Sequence, residues 1–148
     1  MMIVGVGNRF RGDDAAGLSA AARLRERFPA LRVVECDGDV ARLLEAWAGE
    51  EAVVVIDATA SGAAPGTIRR FEAHREPLPA AFARGSTHAF GVAQSVELGR
   101  ALGRLPARVV VYGIEGARFE PGLELSTEVA AAVESVVEAV AQEAGGRA

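Results

Sequence analysis

A chain of 148 residues, 50% hydrophobic and 24% charged, has the size and make-up of one folded domain spanning residues 1–148. Its formal net charge of −4, with every one of its 16 basic residues an arginine, excludes the cationic excess of a general nucleic-acid binder. The single cysteine, Cys36, excludes an intrachain disulfide, and no basic-flanked leader or apolar run of ~18 residues is present, so a soluble, cytoplasmic monomer with no membrane contact is expected.

The first predicted element is the strand MIVGVG (2–7), which runs into Gly5, Gly7, Asn8 and then the acids Asp13 and Asp14. A helix follows, with Leu18, Ala21, Leu24 and Phe28 on one face and Asp13 expected as its N-cap. LRVVEC (31–36) is a second strand. Asp39 is placed as N-cap of a helix whose apolar side is Val40, Leu43, Leu44 and Trp47. AVVVIDA (52–58) is almost continuously apolar, as expected of a strand covered on both faces, and it ends on Asp57.

Only a short SGAAPG-type loop separates that strand from GTIRRFEA (66–73). A parallel crossover takes about a dozen residues or more, so this fourth strand is expected to run antiparallel, with Arg69 and Arg70 suiting a sheet edge. A third helix carries Val92, Val96 and Leu102, opens near Ser86 and Thr87 and closes at Gly103. ARVVVYGIE (107–115) is the fifth strand, and a last helix starts at Ser126, carries Val129, Val133, Val136, Val137 and Val140, and stops at Gly145-Gly146. The expected fold is α/β: three layers, α/β/α, around a mixed five-stranded sheet of order 2-1-3-5-4, with strand 4 antiparallel at the edge.

The glycines after strand 1 invite a phosphate-cradle reading, which fails on its own requirements. G-x-G-x-x-G would need glycine where Phe10 stands, and a P-loop needs a lysine that the chain lacks. Two carboxylates at the helix mouth would also repel a phosphate. In the order 2-1-3-5-4, strands 1 and 3 flank a topological switch point, where α/β sheets bind ligands beyond their carboxyl ends. Asn8, Asp13 and Asp14 reach that crevice from strand 1, and Asp57 from strand 3. His88, in STHAFG at the opening of the third helix, is the histidine placed to join them, whereas His74 in EAHREP is read as an ordinary surface or hydrogen-bonded residue. Two readings stand for the acids. They are caps and turn residues, or Asp14 and Asp57 converge with His88 as a three-ligand divalent metal site; the cation reading is preferred.

These segments resemble a known family. GVGNRFRGDDAAG is similar to the opening motif of the hydrogenase maturation endopeptidases, AVVVIDA to their second motif and STHAFGV to their third, while VVVYGIE followed by LSTEVAAAV resembles their closing strand and helix. The similarity runs from about residue 2 to residue 143, with the motifs in family order. It implies a compact α/β/α fold and an endopeptidase that removes a C-terminal extension from the precursor of the nickel–iron hydrogenase large subunit after nickel insertion. It also implies that Asp14, Asp57 and His88 contact nickel, that the nickel arrives with the precursor, and that no organic cofactor is used. Aspartate at position 14 departs from the glutamate often found there, a shorter arm that brings the helix mouth closer to the metal. How these residues share in bond cleavage is left open by the resemblance.

Other residues carry weaker expectations. Cys36 is read as a small buried apolar residue and not a nucleophile. Asp37 is placed to line a substrate groove, and loops 59–65 and 116–125 to flank the precursor's tail. A non-catalytic nickel-dependent binding module or maturation chaperone on the same fold is the alternative, and a nucleotide-binding domain a more distant one.

Overall fold

Valine and isoleucine fill the strands, and their stiff β-branched side chains suit a pleated surface packed on both sides. In the computed structural model, residues 1–79, 82, 89–122 and 124–145 are described. They form β1 (Met2–Val6), a 3-10 turn (Gly12–Ala15), α1 (Ala16–Arg27), β2 (Arg32–Cys36), α2 (Val40–Ala46), β3 (Ala52–Thr59), β4 (Ile68–Glu72), α3 (Ala89–Ala101), β5 (Arg108–Glu115) and α4 (Thr127–Gly145). The sheet order is β2-β1-β3-β5-β4. Pairings β1–β2, β1–β3 and β3–β5 are parallel, and β4 pairs antiparallel with β5, as the short connection after β3 requires.

Alternation along the central strands divides the core in two. Ile3, Val54, Ile56, Val110, Tyr112 and Ile114 face α1 and α4, where they meet Leu24, Val129, Val133, Val136 and Val140. Met2, Val4, Val6, Val53, Val55, Val109 and Val111 face the opposite layer and meet Leu43, Trp47, Val92 and Val96 of α2 and α3. The three central strands are buried along almost their whole length, while β2 and β4 at the edges are only partly covered. That difference explains why continuous apolar runs marked β1, β3 and β5.

Two local expectations are corrected. Leu102 lies beyond the end of α3 and is 54% exposed, so it belongs to the surface and not to the core. The expected helix start at Asp13 is instead a 3-10 turn, and neither it nor α1 has a side-chain N-cap. Asp39 does cap α2, accepting a hydrogen bond from the Arg42 N–H at 3.0 Å. Ser86 and Thr87, the expected opening of α3, lie outside the described residues. None of the described helices is long and apolar enough to cross a membrane.

Candidate functional site

The glycines of the opening motif serve contact between backbones. A Cβ on Gly17 would stand 2.2 Å from the Ile56 carbonyl oxygen and 2.5 Å from that of Val6, and one on Gly5 would stand 2.5 Å from the Gly17 oxygen. Any side chain at these points would push α1 off the sheet. With none, the start of α1 lies directly across the carboxyl ends of β1 and β3. The turn carrying Asp13 and Asp14 therefore reaches the rim where β3 delivers Asp57.

All three aspartates are buried: Asp13 and Asp57 at 0% exposure and Asp14 at 1%. They are held differently. Asp13 spends both carboxylate oxygens on a segment more than a hundred residues away. One accepts from the Ser126 N–H at 2.7 Å; the other accepts from Ala117 N–H at 2.7 Å, Arg118 N–H at 2.9 Å and the Ser126 hydroxyl at 2.9 Å. Its own N–H donates to the Arg118 carbonyl at 2.7 Å. Burial alone would push the Asp13 carboxyl up, but the hydrogen bonds from Ser126, Ala117 and Arg118 outweigh it and hold the group below the usual carboxylate range. Asp13 is thus not the expected helix cap. It is the clamp that ties the acidic turn to the start of α4, and its oxygens are committed to that task.

Asp14 accepts the Asn8 backbone N–H at 3.1 Å, which fixes it against the end of β1. Asp57 shares a sheet face with Val53 and Val55, the α2/α3 side, and one of its oxygens accepts the next N–H, that of Ala58, at 2.8 Å. Its register partner on β5 is Gly113, over which the buried Phe82 ring packs. Both carboxylates are thus buried at the carboxyl rim of the sheet.

His88 lies outside the described residues. The described part of α3 is packed close to the loop after β2: a Cβ on Gly91 would come within 2.0 Å of the Gly38 carbonyl oxygen. Among the described residues no group of three or more His, Cys, Asp or Glu side chains is arranged to hold a metal ion. His74 has the structural part expected of it, its Nδ1 accepting the Val109 N–H at 3.1 Å.

Sequence reasoning left Glu115 inside a strand and gave it no part. It is buried at the end of β5 and accepts from the Thr59 hydroxyl at 2.9 Å, the Ser61 hydroxyl at 2.7 Å, the Ser61 N–H at 2.8 Å and the Gly62 N–H at 3.2 Å. It fixes the chain that leaves Asp57. The signal that marked Asp57, an acid closing an apolar strand, marks Glu115 equally.

Asp37 lines a cleft of about 430 Å³ beside Asn8 and Cys36, and its side chain both accepts the Asp39 N–H and pairs with Arg42. Cys36 is half-buried, and burial together with the Asp37 charge pushes its thiol up despite Arg42. A raised thiol is a poor nucleophile near neutral pH.

Fold and rim together define a three-layer α/β protein with enclosed acids at the topological switch point, the place where sheets of this kind engage ligands. The known proteins it is similar to carry the same fold. Residues 19–143 match the family model HycI, hydrogenase maturation protease. The chain is 30% identical over 145 residues to the hydrogenase 2 maturation protease of Escherichia coli K12, covering 95% of this chain and 87% of that protein. Its structure is similar to the [NiFe] hydrogenase maturation protease HybD from Thermococcus kodakarensis, with a TM-score of 0.77, 30% identity and coverage of 95% and 96% of the two chains. It is also similar to the hydrogenase maturating endopeptidase HybD from E. coli, with a TM-score of 0.78, 28% identity and coverage of 98% and 93%. The chain belongs to the hydrogenase maturation protease family, a family of hydrolases.

Proposed function

We propose that this protein is the endopeptidase that removes the C-terminal extension of a nickel–iron hydrogenase large-subunit precursor once nickel is in place. In this reading Asp14, Asp57 and His88 recognise the nickel, which arrives as part of the substrate. The observation that carries it is the pair of buried aspartates, Asp14 and Asp57, brought to one rim at the switch point of a chain from this family. The donor set suits the ion: carboxylate oxygens supply charge and imidazole suits nickel among the divalent metals.

The chain's own residues do three things here. Asn8 and Ala58 orient the two acids through their N–H groups. Asp13 fixes the turn that carries Asp14 and Glu115 the loop that follows the strand of Asp57, so that little reorganisation is left when the precursor arrives. The metal, once engaged, supplies a positive charge close to the bond to be cut. The nickel requirement then makes cleavage conditional on a finished metal centre.

The test is mass spectrometry of a nickel-loaded large-subunit precursor incubated with the wild-type chain and with His88→Ala. The wild type releases a C-terminal peptide and the variant leaves the precursor intact. Unchanged processing by His88→Ala discards the assignment of that histidine, and binding of the precursor without any cut by the wild type discards the protease reading.

A further inference from the structure

We propose that Phe10 is a specificity-determining residue: it seats an uncharged, apolar side chain of the substrate peptide beside the acids. The inference builds on the function proposed above and adds the chemistry of the peptide segment that is read.

Phe10 is 72% exposed, the most exposed large apolar side chain among the described residues. An isolated apolar side chain on a loose loop would need no explanation. Phe10 is not loose. Its N–H donates to Asn8 Oδ1 at 2.9 Å, and its carbonyl accepts the Gly122 N–H at 2.9 Å. Gly122 sits at φ +82° with nothing within 4 Å of where a Cβ would be, so glycine is required there by backbone conformation and not by crowding. The Pro121-Gly122 turn from one loop therefore supports the backbone of another while the ring stands in water. A ring presented on a fixed backbone gives up less freedom when a partner covers it.

The ring stands at the cleft of about 430 Å³, whose other apolar surface comes from Leu18 and Cys36. Asn8 joins this cleft to the acid site. Its side chain holds the Phe10 N–H while its own N–H donates to Asp14. The cleft's charged side chains are two arginines and two acids, already paired as Arg9–Glu35 at 2.9 Å and Arg42–Asp37 at 3.2 Å. Glu35 also pairs with Arg25 at 3.1 Å, so a charged guest would have to compete with ion pairs already made and would lose hydration. A neutral apolar side chain loses none and covers the ring. The occupant is therefore an apolar residue of the precursor, close to the bond presented at the acids.

The experiment measures KM and kcat for a nickel-loaded large-subunit precursor, and separately its Kd by calorimetry, for wild type, Phe10→Ala, Phe10→Leu and Gly122→Val. Phe10→Ala is expected to raise KM and Kd about tenfold, the loss typical of truncating an aromatic anchor, with kcat within about twofold. Phe10→Leu restores most of the affinity, and Gly122→Val gives a smaller rise than Phe10→Ala because the ring remains but its support is strained. Unchanged Kd in Phe10→Ala, or a fall in kcat at constant KM, overturns the inference. Should the wild type bind without cutting, the protease reading fails while a weaker Kd in Phe10→Ala still upholds the role of Phe10. A wild type that neither binds nor cuts overturns both.

Discussion

The two ends of the sheet both draw carboxylates out of water, half-buried at one end and buried at the other, and they hold them by different means. Toward the amino end, Glu143 of α4 pairs with Arg70 at 2.8 Å and Arg108 at 3.1 Å and accepts the Tyr112 hydroxyl. Two cations and a phenol surround one acid there, and the cluster ties the last turn of α4 to β4 and β5. At the carboxyl rim, every hydrogen bond to Asp13 or Glu115 comes from a backbone N–H or a hydroxyl. Dipoles solvate a carboxylate without cancelling its charge. The comparison separates an acid held by cations from two acids, Asp13 and Glu115, held by dipoles alone.

The sharpest way to break this contrast is to neutralise neighbouring acids at the rim one at a time. Asp14→Asn is expected to cut precursor processing by up to about a hundredfold on the proposed reading, while its amide oxygen still accepts the Asn8 N–H and keeps the stability loss to about 1 kcal/mol. Asp13→Asn is expected to cost about 3 kcal/mol in urea unfolding, because an amide presents donors to N–H groups that now lack an acceptor. Asp13 also sets an acid limit. Its folded-state carboxyl is depressed, so its contribution is present above about pH 4 and is lost as pH falls through the lower folded value. If Asp14→Asn unfolds the chain and Asp13→Asn does not, the division of labour is wrong.

Glu115 offers a finer test. Glu115→Leu leaves the Ser61 and Gly62 N–H groups without their acceptor and is expected to cost about 2 kcal/mol. Glu115→Gln should cost under about 1 kcal/mol, because the Thr59 and Ser61 hydroxyls can turn to accept from the new amide while its oxygen serves the two N–H groups. Equal losses in the two variants would show that the negative charge, and not the hydrogen-bond pattern, is what the loop needs.

The smallest effect belongs to the amino end. Burial, with the Glu143 hydrogen bond and charge, pushes the Tyr112 phenol up from 10.0 to about 12. A raised folded value means its stabilisation is complete below about pH 10 and is lost as pH rises through about 12. Tyr112 is the only tyrosine, so absorbance at the tyrosinate band reads this one group directly. Tyr112→Phe should cost about 1 kcal/mol at neutral pH, remove the alkaline transition and leave processing unchanged. A phenol titrating at its ordinary value would dissolve the cluster.

The sequence made the strands legible because three of them are buried on both faces, and such burial leaves an uninterrupted apolar run. The antiparallel β4 followed from chain length alone: too few residues separate it from β3 for a crossover. The same strand pattern placed Asp57 at a carboxyl end, and family motifs brought Asp14 and His88 beside it in expectation. The part played by Asp13 was not legible. A carboxylate before a helix reads locally as a cap, and its true partners, Ala117, Arg118 and Ser126, are 104 to 113 residues away. Leu102 was misplaced for a related reason, since periodicity counts an apolar residue without knowing that the helix has ended one position earlier.

By itself, then, the order of residues determined which segments pair into a sheet, in what order, and which acids stand at strand ends. Local periodicity and connection length are properties of the chain, and they suffice for that. Tertiary structure alone decided that Asp13 is spent on holding loops, and it alone revealed the support beneath Phe10. Those assignments depend on hydrogen-bond partners that come into reach only after α1 closes over the strands and the distant Gly116–Ser126 loop folds back onto the turn.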